Sequence, residues 1–347
     1  MKTTGVKNMK TVTWDLALST ALRMAPLREH YVETRRHTDV ASQLNILLAN
    51  REMAKSQFKP DRKMGLLVVG ETGAGKTTLL KRLVKDHPYL QPRDELHVPL
   101  VCLRITAPVT NKSLAHQTLG ALGFETDFEH TIAAHKYWGW VRHHAQQRDA
   151  YGFLFDEGQD LFLKASDLHA REALSMIKGL MEIPGRPYVV ILAGGPDLEK
   201  FLEKDPMVSE RFLRAVLNPL SVDHAFQALV PEMHKLAKLV AVSFGKDCDE
   251  IAKRTIHASF NQFGRSLELV ADGIQEAVYA GARRVTMEMF ADAYHRHTNC
   301  GKARNIFVVP DPQWRDLSPI KVTKTSGEAP AAATPSPGAE RREDSPW

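Results

Sequence analysis

Eight consecutive residues, Gly70-Glu71-Thr72-Gly73-Ala74-Gly75-Lys76-Thr77, decide most of what this chain can become. They match G-x-x-x-x-G-K-[ST] in full. Leu66 to Val69 before them is a short apolar run of the kind that forms a buried parallel strand, and Thr78-Leu79-Leu80-Lys81 after them begins a helix. The glycines permit torsions that turn successive backbone N–H groups inward, and the helix N-terminus adds its positive end, so the loop is a cradle for phosphate. Gly70 through Thr78 are expected to line it. Lys76 is expected to reach the β- and γ-phosphates of a bound nucleotide, and the Thr77 hydroxyl to ligate Mg²⁺.

A triphosphate site of this kind needs a carboxylate from a neighbouring strand and a group that positions water. Tyr151-Gly152-Phe153-Leu154-Phe155-Asp156-Glu157 supplies both. Asp156 ends a buried strand, where α/β sheets gather ligands, and is expected to hold Mg²⁺ directly or through water; Glu157 is expected to polarise the attacking water. Adjacent carboxylates at a strand end can also cap a following helix, but the upstream loop favours the catalytic reading. The expected ligands are ATP and Mg²⁺, and the expected activity is ATP hydrolysis.

Further apolar runs at Leu100 to Ile105 and Tyr188 to Leu192 alternate with helical stretches such as Ser113 to Leu122 and Thr131 to Gln147. This is βαβ alternation, and it predicts a parallel sheet covered on both faces by helices. The run at Leu100 lies between the two motifs and predicts an extra strand between the phosphate-loop strand and the Asp156 strand. Strand signals stop after Pro219, and helical periodicity covers Ala225 to Phe244, Asp249 to Phe260, Ser266 to Ala280 and Thr286 to His295. The division that follows is a basic helical segment over 1–64, an α/β domain over 65–220, a small all-helical lid over 221–300, an extended segment over 301–317 and a disordered tail over 318–347. In the first segment apolar spacing from Thr13 to Ala54 predicts two or three helices, interrupted at Pro26. The tail is rich in Pro, Ala, Ser, Thr and Gly and has too little apolar content to offset its ordering entropy.

Of the 347 residues, 1–64 carry twelve Lys and Arg against six Asp and Glu, while the whole chain is only +5, so the basic excess is local. That suits a polyanion partner and equally suits a solvated helix face. The 3 cysteines, Cys102, Cys248 and Cys300, are far apart and outside C-x-x-C spacing, which implies neither a disulfide frame nor a zinc module and fits a reducing cytoplasm. No run of about 18 apolar residues or export signal stands out, so no membrane association is expected.

The two nucleotide motifs, the stretch Phe155-Asp156-Glu157-Gly158-Gln159-Asp160-Leu161 and the basic helices before the loop make the chain resemble the AAA+ superfamily. Within it the likeness is to transposition regulators of the TniB and TnsC kind, and more distantly to IstB, over roughly Met24 to Thr298. The resemblance implies a homo-oligomeric ring or filament that forms with ATP on double-stranded DNA with little sequence preference. It implies a transposase and a target-selection protein as partners, with hydrolysis driving disassembly. An arginine from a neighbouring subunit is implied to complete each site, and Arg211 is the better match and Arg214 the other candidate. Arg265, in Phe263-Gly264-Arg265-Ser266-Leu267, is similar to the lid arginine that reaches the γ-phosphate. Such proteins usually end their fourth strand in a polar residue, but here Tyr188 to Ala193 runs into Gly194-Gly195-Pro196, which implies slow hydrolysis. Alternatives from other classes are a remodelling or loader ATPase acting on protein or replication machinery, and a signalling NTPase scaffold.

DNA contacts are expected to be mostly to phosphate, with Asn111 and Lys112, opening a helix after the second strand, as a candidate loop. His143-His144 and His295-x-His297 lack the spacing of a zinc site. Trp138 and Trp140 are expected to pack structurally, and Cys102 to behave as a small hydrophobe in its strand. Phe307 to Trp314 is either a segment folded back on its own domain or a hook onto a partner.

Overall fold

Five short runs, β1 (Gly65–Val69), β2 (Leu100–Arg104), β3 (Gly152–Asp156), β4 (Val189–Gly194) and β5 (Phe212–Val216), form one parallel sheet in the order β2-β3-β4-β1-β5. The computed structural model that shows this describes residues 13–57, 63–106, 109–124, 127–129, 131–162 and 167–320. β1, β3 and β4 are buried at every position, as strands covered on both faces must be, whereas β2 and β5 mix buried and exposed positions because they are edges. The sheet corrects two expectations. A strand does separate β1 from β3, but it is β4, and the Leu100 run lies at the far edge. The fifth strand, Phe212–Val216, falls where sequence alone placed no strand. Edge position also explains why Cys102 is exposed rather than packed as a hydrophobe.

The N-terminal segment forms two helices, α1 (Trp14–Glu29) and α2 (Arg35–Gln57), and Pro26 lies inside the first instead of ending it. The other helices of the α/β layer are α3 (Lys76–Asp86), α4 (Asn111–Ala121), α5 (Ala134–Gln147), α6 (Asp167–Met181) and the short α7 (Pro196–Leu202) and α8 (Pro206–Ser209). Thr110 caps α4 by accepting the Ser113 N–H at 3.1 Å, which fixes the helix start two residues earlier than periodicity predicts. Then α9 (Val222–Leu239), α10 (Cys248–Ala258), α11 (Phe263–Tyr279) and α12 (Met287–Thr298) form a second layer. That layer is not purely helical, since β6 (Ser243–Phe244) and β7 (Arg284–Val285) pair in parallel within it.

Two hydrophobic cores result, and the N-terminal helices divide between them. Val40, Leu44, Leu47 and Leu48 of α2 join the core of the sheet, while Met24 and Leu27 of α1 join that of the helical domain. His30, between the two helices, holds Glu232 of α9 at 2.8 Å. The basic segment is therefore a strap across both domains rather than a separate unit.

Beyond α12 the chain packs back on its own domain, with Ile306, Phe307 and Trp314 buried. Arg254 donates to the carbonyls of Ile306 and Val309, both at 2.7 Å, and lies over the Trp314 ring. A hook would need these apolar side chains free, so that reading gives way to the self-packed one. Of the expected tail, everything past residue 320 lies outside the described residues, as do residues 1–12 of the basic segment. Among the described residues no helix is long and apolar enough to cross a membrane.

Candidate nucleotide site

The loop between β1 and α3 is held open by backbone geometry. Gly73 and Gly75 take φ of 86° and 92°, torsions that side-chain-bearing residues rarely adopt. Gly75 is the N-cap of α3 and offers no side-chain acceptor, so the first-turn N–H groups face the loop's concave side without a capping partner from that residue. Gly70 donates to the Gly194 carbonyl at 3.2 Å, which anchors the loop to the end of β4.

Inside this frame the expected residues converge. Lys76 Nζ donates to the carbonyls of Gly70 at 2.6 Å and Glu71 at 3.2 Å. Burial pulls its pKa below the usual lysine value, opposed by the nearby Glu157, Asp156 and Glu71 carboxylates. The Thr77 hydroxyl donates to Asp156 Oδ2 at 2.6 Å, joining the first turn of α3 to the end of β3. Asp156 is buried, and its other oxygen accepts the Glu157 N–H at 2.9 Å. A hydroxyl and a carboxylate side by side form the hard oxygen pair that Mg²⁺ takes from proteins when phosphate and water complete its shell. The donor set therefore fits that ion. Among the described residues no group of three or more His, Cys, Asp and Glu could hold a metal ion.

Glu157 stands in the left-handed region at φ 58°, which turns its side chain off the line of the strand. Its carboxylate is held by Arg104 at 3.3 Å and by Gln159 Nε2 at 2.6 Å. Neither partner follows from the motif: the Arg104 contact exists because β2 and β3 pair in register, Arg104 opposite Asp156.

The helical domain reaches the same loop. The Arg265 N–H donates to the Gly73 carbonyl at 3.1 Å, and a Cβ on Gly73 would lie 2.2 Å from Arg265 Cγ. Gly264 is equally close, since a Cβ there would lie 2.5 Å from the Gly73 oxygen. Two glycines thus let the start of α11 rest directly on the phosphate loop, and Arg265 lies along it.

The other candidates stand elsewhere. Arg211 sits just before β5, whose first residue pairs with Gly65, so it is at the sheet edge opposite the loop. Its side chain is mostly buried against Glu182. Arg214, on β5, is 42% exposed, donates to Ser209 Oγ at 2.7 Å and only approaches Glu199 and Glu203, at 3.8 and 4.0 Å. Asn111 Oδ1 accepts the Trp138 indole N–H at 2.8 Å, and the Lys112 ammonium lies over Phe128 at 4.9 Å and over Tyr137 at 5.8 Å, so both take part in packing α4 against α5. Trp138 is buried, but Trp140 is 39% exposed, with its ring edge-on to Tyr137.

In fold the chain is similar to a Cdc6 protein from Pyrobaculum aerophilum, with a TM-score of 0.56 and 16% identity over 83% of this chain and 74% of that one. It is also similar to the Aeropyrum pernix ORC2 protein, with a TM-score of 0.54 and 16% identity over 81% and 75%. A third likeness is to Drosophila ORC bound to DNA, at 0.50 and 15% over 88% and 74%. At such identities the likeness establishes the P-loop AAA+ fold with its helical C-terminal domain. No curated protein matches in sequence. The bacterial TniB protein family matches over residues 27–221, more than half of the chain and the whole of the α/β domain, and the chain belongs to that family.

Proposed function

We propose that this protein is an ATP-dependent regulator of transposition that assembles on double-stranded DNA when it binds ATP, recruits or activates a transposase, and leaves the DNA after hydrolysis. The observation that carries this reading is the meeting of two domains on one loop, where Lys76 bonded to Gly70 and Thr77 bonded to Asp156 belong to the α/β layer and Arg265, resting on Gly73, comes from the helical domain. A triphosphate gripped from both sides ties the relative position of the domains to the γ-phosphate, and subunit contacts can then depend on it. Membership of the TniB family supports a transposition role.

In the proposed chemistry Lys76 releases its two backbone carbonyls and pairs with phosphate oxygens. Thr77 and Asp156 would hold Mg²⁺, which neutralises charge on the phosphates when bound. Glu157 accepts a proton from the water whose oxygen bonds to the γ-phosphorus while the bond to the bridging oxygen breaks, giving ADP and phosphate. Arg211 and Arg214 lie away from their own loop, as residues serving a neighbouring copy would. Arg214 is the more accessible, and Arg211 would first have to leave Glu182.

Purified protein mixed with random-sequence duplex should form ordered particles with ATP and none with ADP, seen by electron microscopy without any other protein. Particles equal in number with both nucleotides would contradict the reading. A loader acting through a partner would form none with either.

A further inference from the structure

Glu157 is turned away from its strand, so something other than β3 must set where its carboxylate points. Among the described residues two donors touch it. Arg104 reaches Oε1 at 3.3 Å from a side chain that is 75% exposed, a contact that solvent and salt weaken. Gln159 reaches Oε2 at 2.6 Å and is itself fixed at its other end, because its Oε1 accepts the Gly195 N–H at 3.0 Å just past β4. A carboxamide has one acceptor end and one donor end. With the oxygen taken by Gly195, the NH₂ must face Glu157.

The space for this clamp is provided by glycine. A Cβ on Gly194 would lie 2.5 Å from Gln159 Oε1 and 2.9 Å from Leu198, so a larger residue at the end of β4 would push the carboxamide away. We propose that Gln159 is the positioning residue of the hydrolytic carboxylate: it ties Glu157 to the end of β4 and so holds the base in one orientation over the phosphate loop. The proposal rests on Glu157 being the base. It separates binding from turnover, because the hydrogen bonds of Lys76, to the Gly70 carbonyl, and of Thr77, to Asp156, are made apart from those of Gln159, to Glu157 and Gly195.

Gln159→Ala removes both ends of the clamp. Gln159→Glu keeps the length and the acceptor for Gly195 but turns an oxygen toward Glu157. The test measures kcat, KM, ATP affinity by calorimetry and melting temperature for both variants in the full chain, beside Glu157→Gln. The expected result is a fall in kcat of about 10- to 100-fold in both, as misplacing a catalytic group by about 1 Å produces, with ATP affinity within about threefold and an unchanged melting temperature. If Gln159 merely braced the loop, Gln159→Glu would turn over like wild type and Gln159→Ala would melt lower, and the proposal would fall. It would also fall if both variants kept wild-type kcat while Glu157→Gln lost turnover. Turnover retained in Glu157→Gln would instead remove the base assignment on which it rests.

Discussion

The two edges of the sheet carry charged residues in opposite circumstances. At the carboxyl edge Lys76 is bonded to backbone carbonyls and Thr77 to Asp156, contacts that phosphate and a cation can replace. At the amino edge the charges are committed to the fold. Arg51 is fully buried, donates to the Ala150 carbonyl at 3.2 Å and lies 4.5 Å over the Tyr151 ring. Arg93 and Arg186 share Asp149 at 2.5 and 2.7 Å. Burial and the kind of partner distinguish a charge whose contacts a ligand could replace from one that maintains the structure.

Substitutions at the two edges should therefore fail in different ways. The largest effect is expected from Lys76→Ala, which removes the point charge on the phosphates: ATP binding by calorimetry should be lost while the melting temperature stays near wild type. Arg51→Ala should do the reverse. It leaves a cavity and an unpaired carbonyl, costs roughly 3 kcal/mol, and should lower the melting temperature by roughly 5–10 °C while the folded fraction binds ATP normally. An Arg51→Ala protein that melted like wild type would blur the contrast between the edges. Gly73→Ala tests the domain contact: strain at φ 86° and collision with Arg265 should push α11 off the loop, and affinity for ATP should fall about tenfold, in line with roughly 1–2 kcal/mol for left-handed strain. The smallest effect belongs to Lys112→Ala. Part of that ammonium is occupied by aromatic rings, so affinity for random duplex should drop only about two- to threefold, alike for unrelated sequences, with the salt slope reduced by at most about 1.

How much of this could be read from the sequence depended on whether the information was local. The phosphate loop was legible because every part of it, from the Gly73 and Gly75 torsions to the Thr77 hydroxyl, lies within eight residues. Asp156 and Glu157 were legible as a strand ending in carboxylates. Arg265 was legible only through family resemblance, since its place depends on how a distant helix docks on Gly73. Phe212–Val216 was not legible because an edge strand of five residues with an arginine at its centre lacks the continuous apolar run of an interior strand. The partners of Arg211 and Asn111, Glu182 and Trp138, are set by packing between elements and leave no pattern in the chain. The Gln159 clamp lay in plain view as a residue, but its meaning needed the end of β4 beside it.

If ATP at the carboxyl edge controls assembly on DNA, the Glu157→Gln variant should separate assembly from release. The amide keeps the shape of the side chain and leaves Lys76, Thr77 and Asp156 in place, but it cannot accept the water's proton. Assembled on random duplex with ATP and then washed free of nucleotide, the variant should remain on DNA as oligomer in size-exclusion chromatography or electron microscopy while the wild type falls away. Dissociation of the variant at the wild-type rate would contradict ATP-gated assembly, even if the protein proved to hydrolyse ATP.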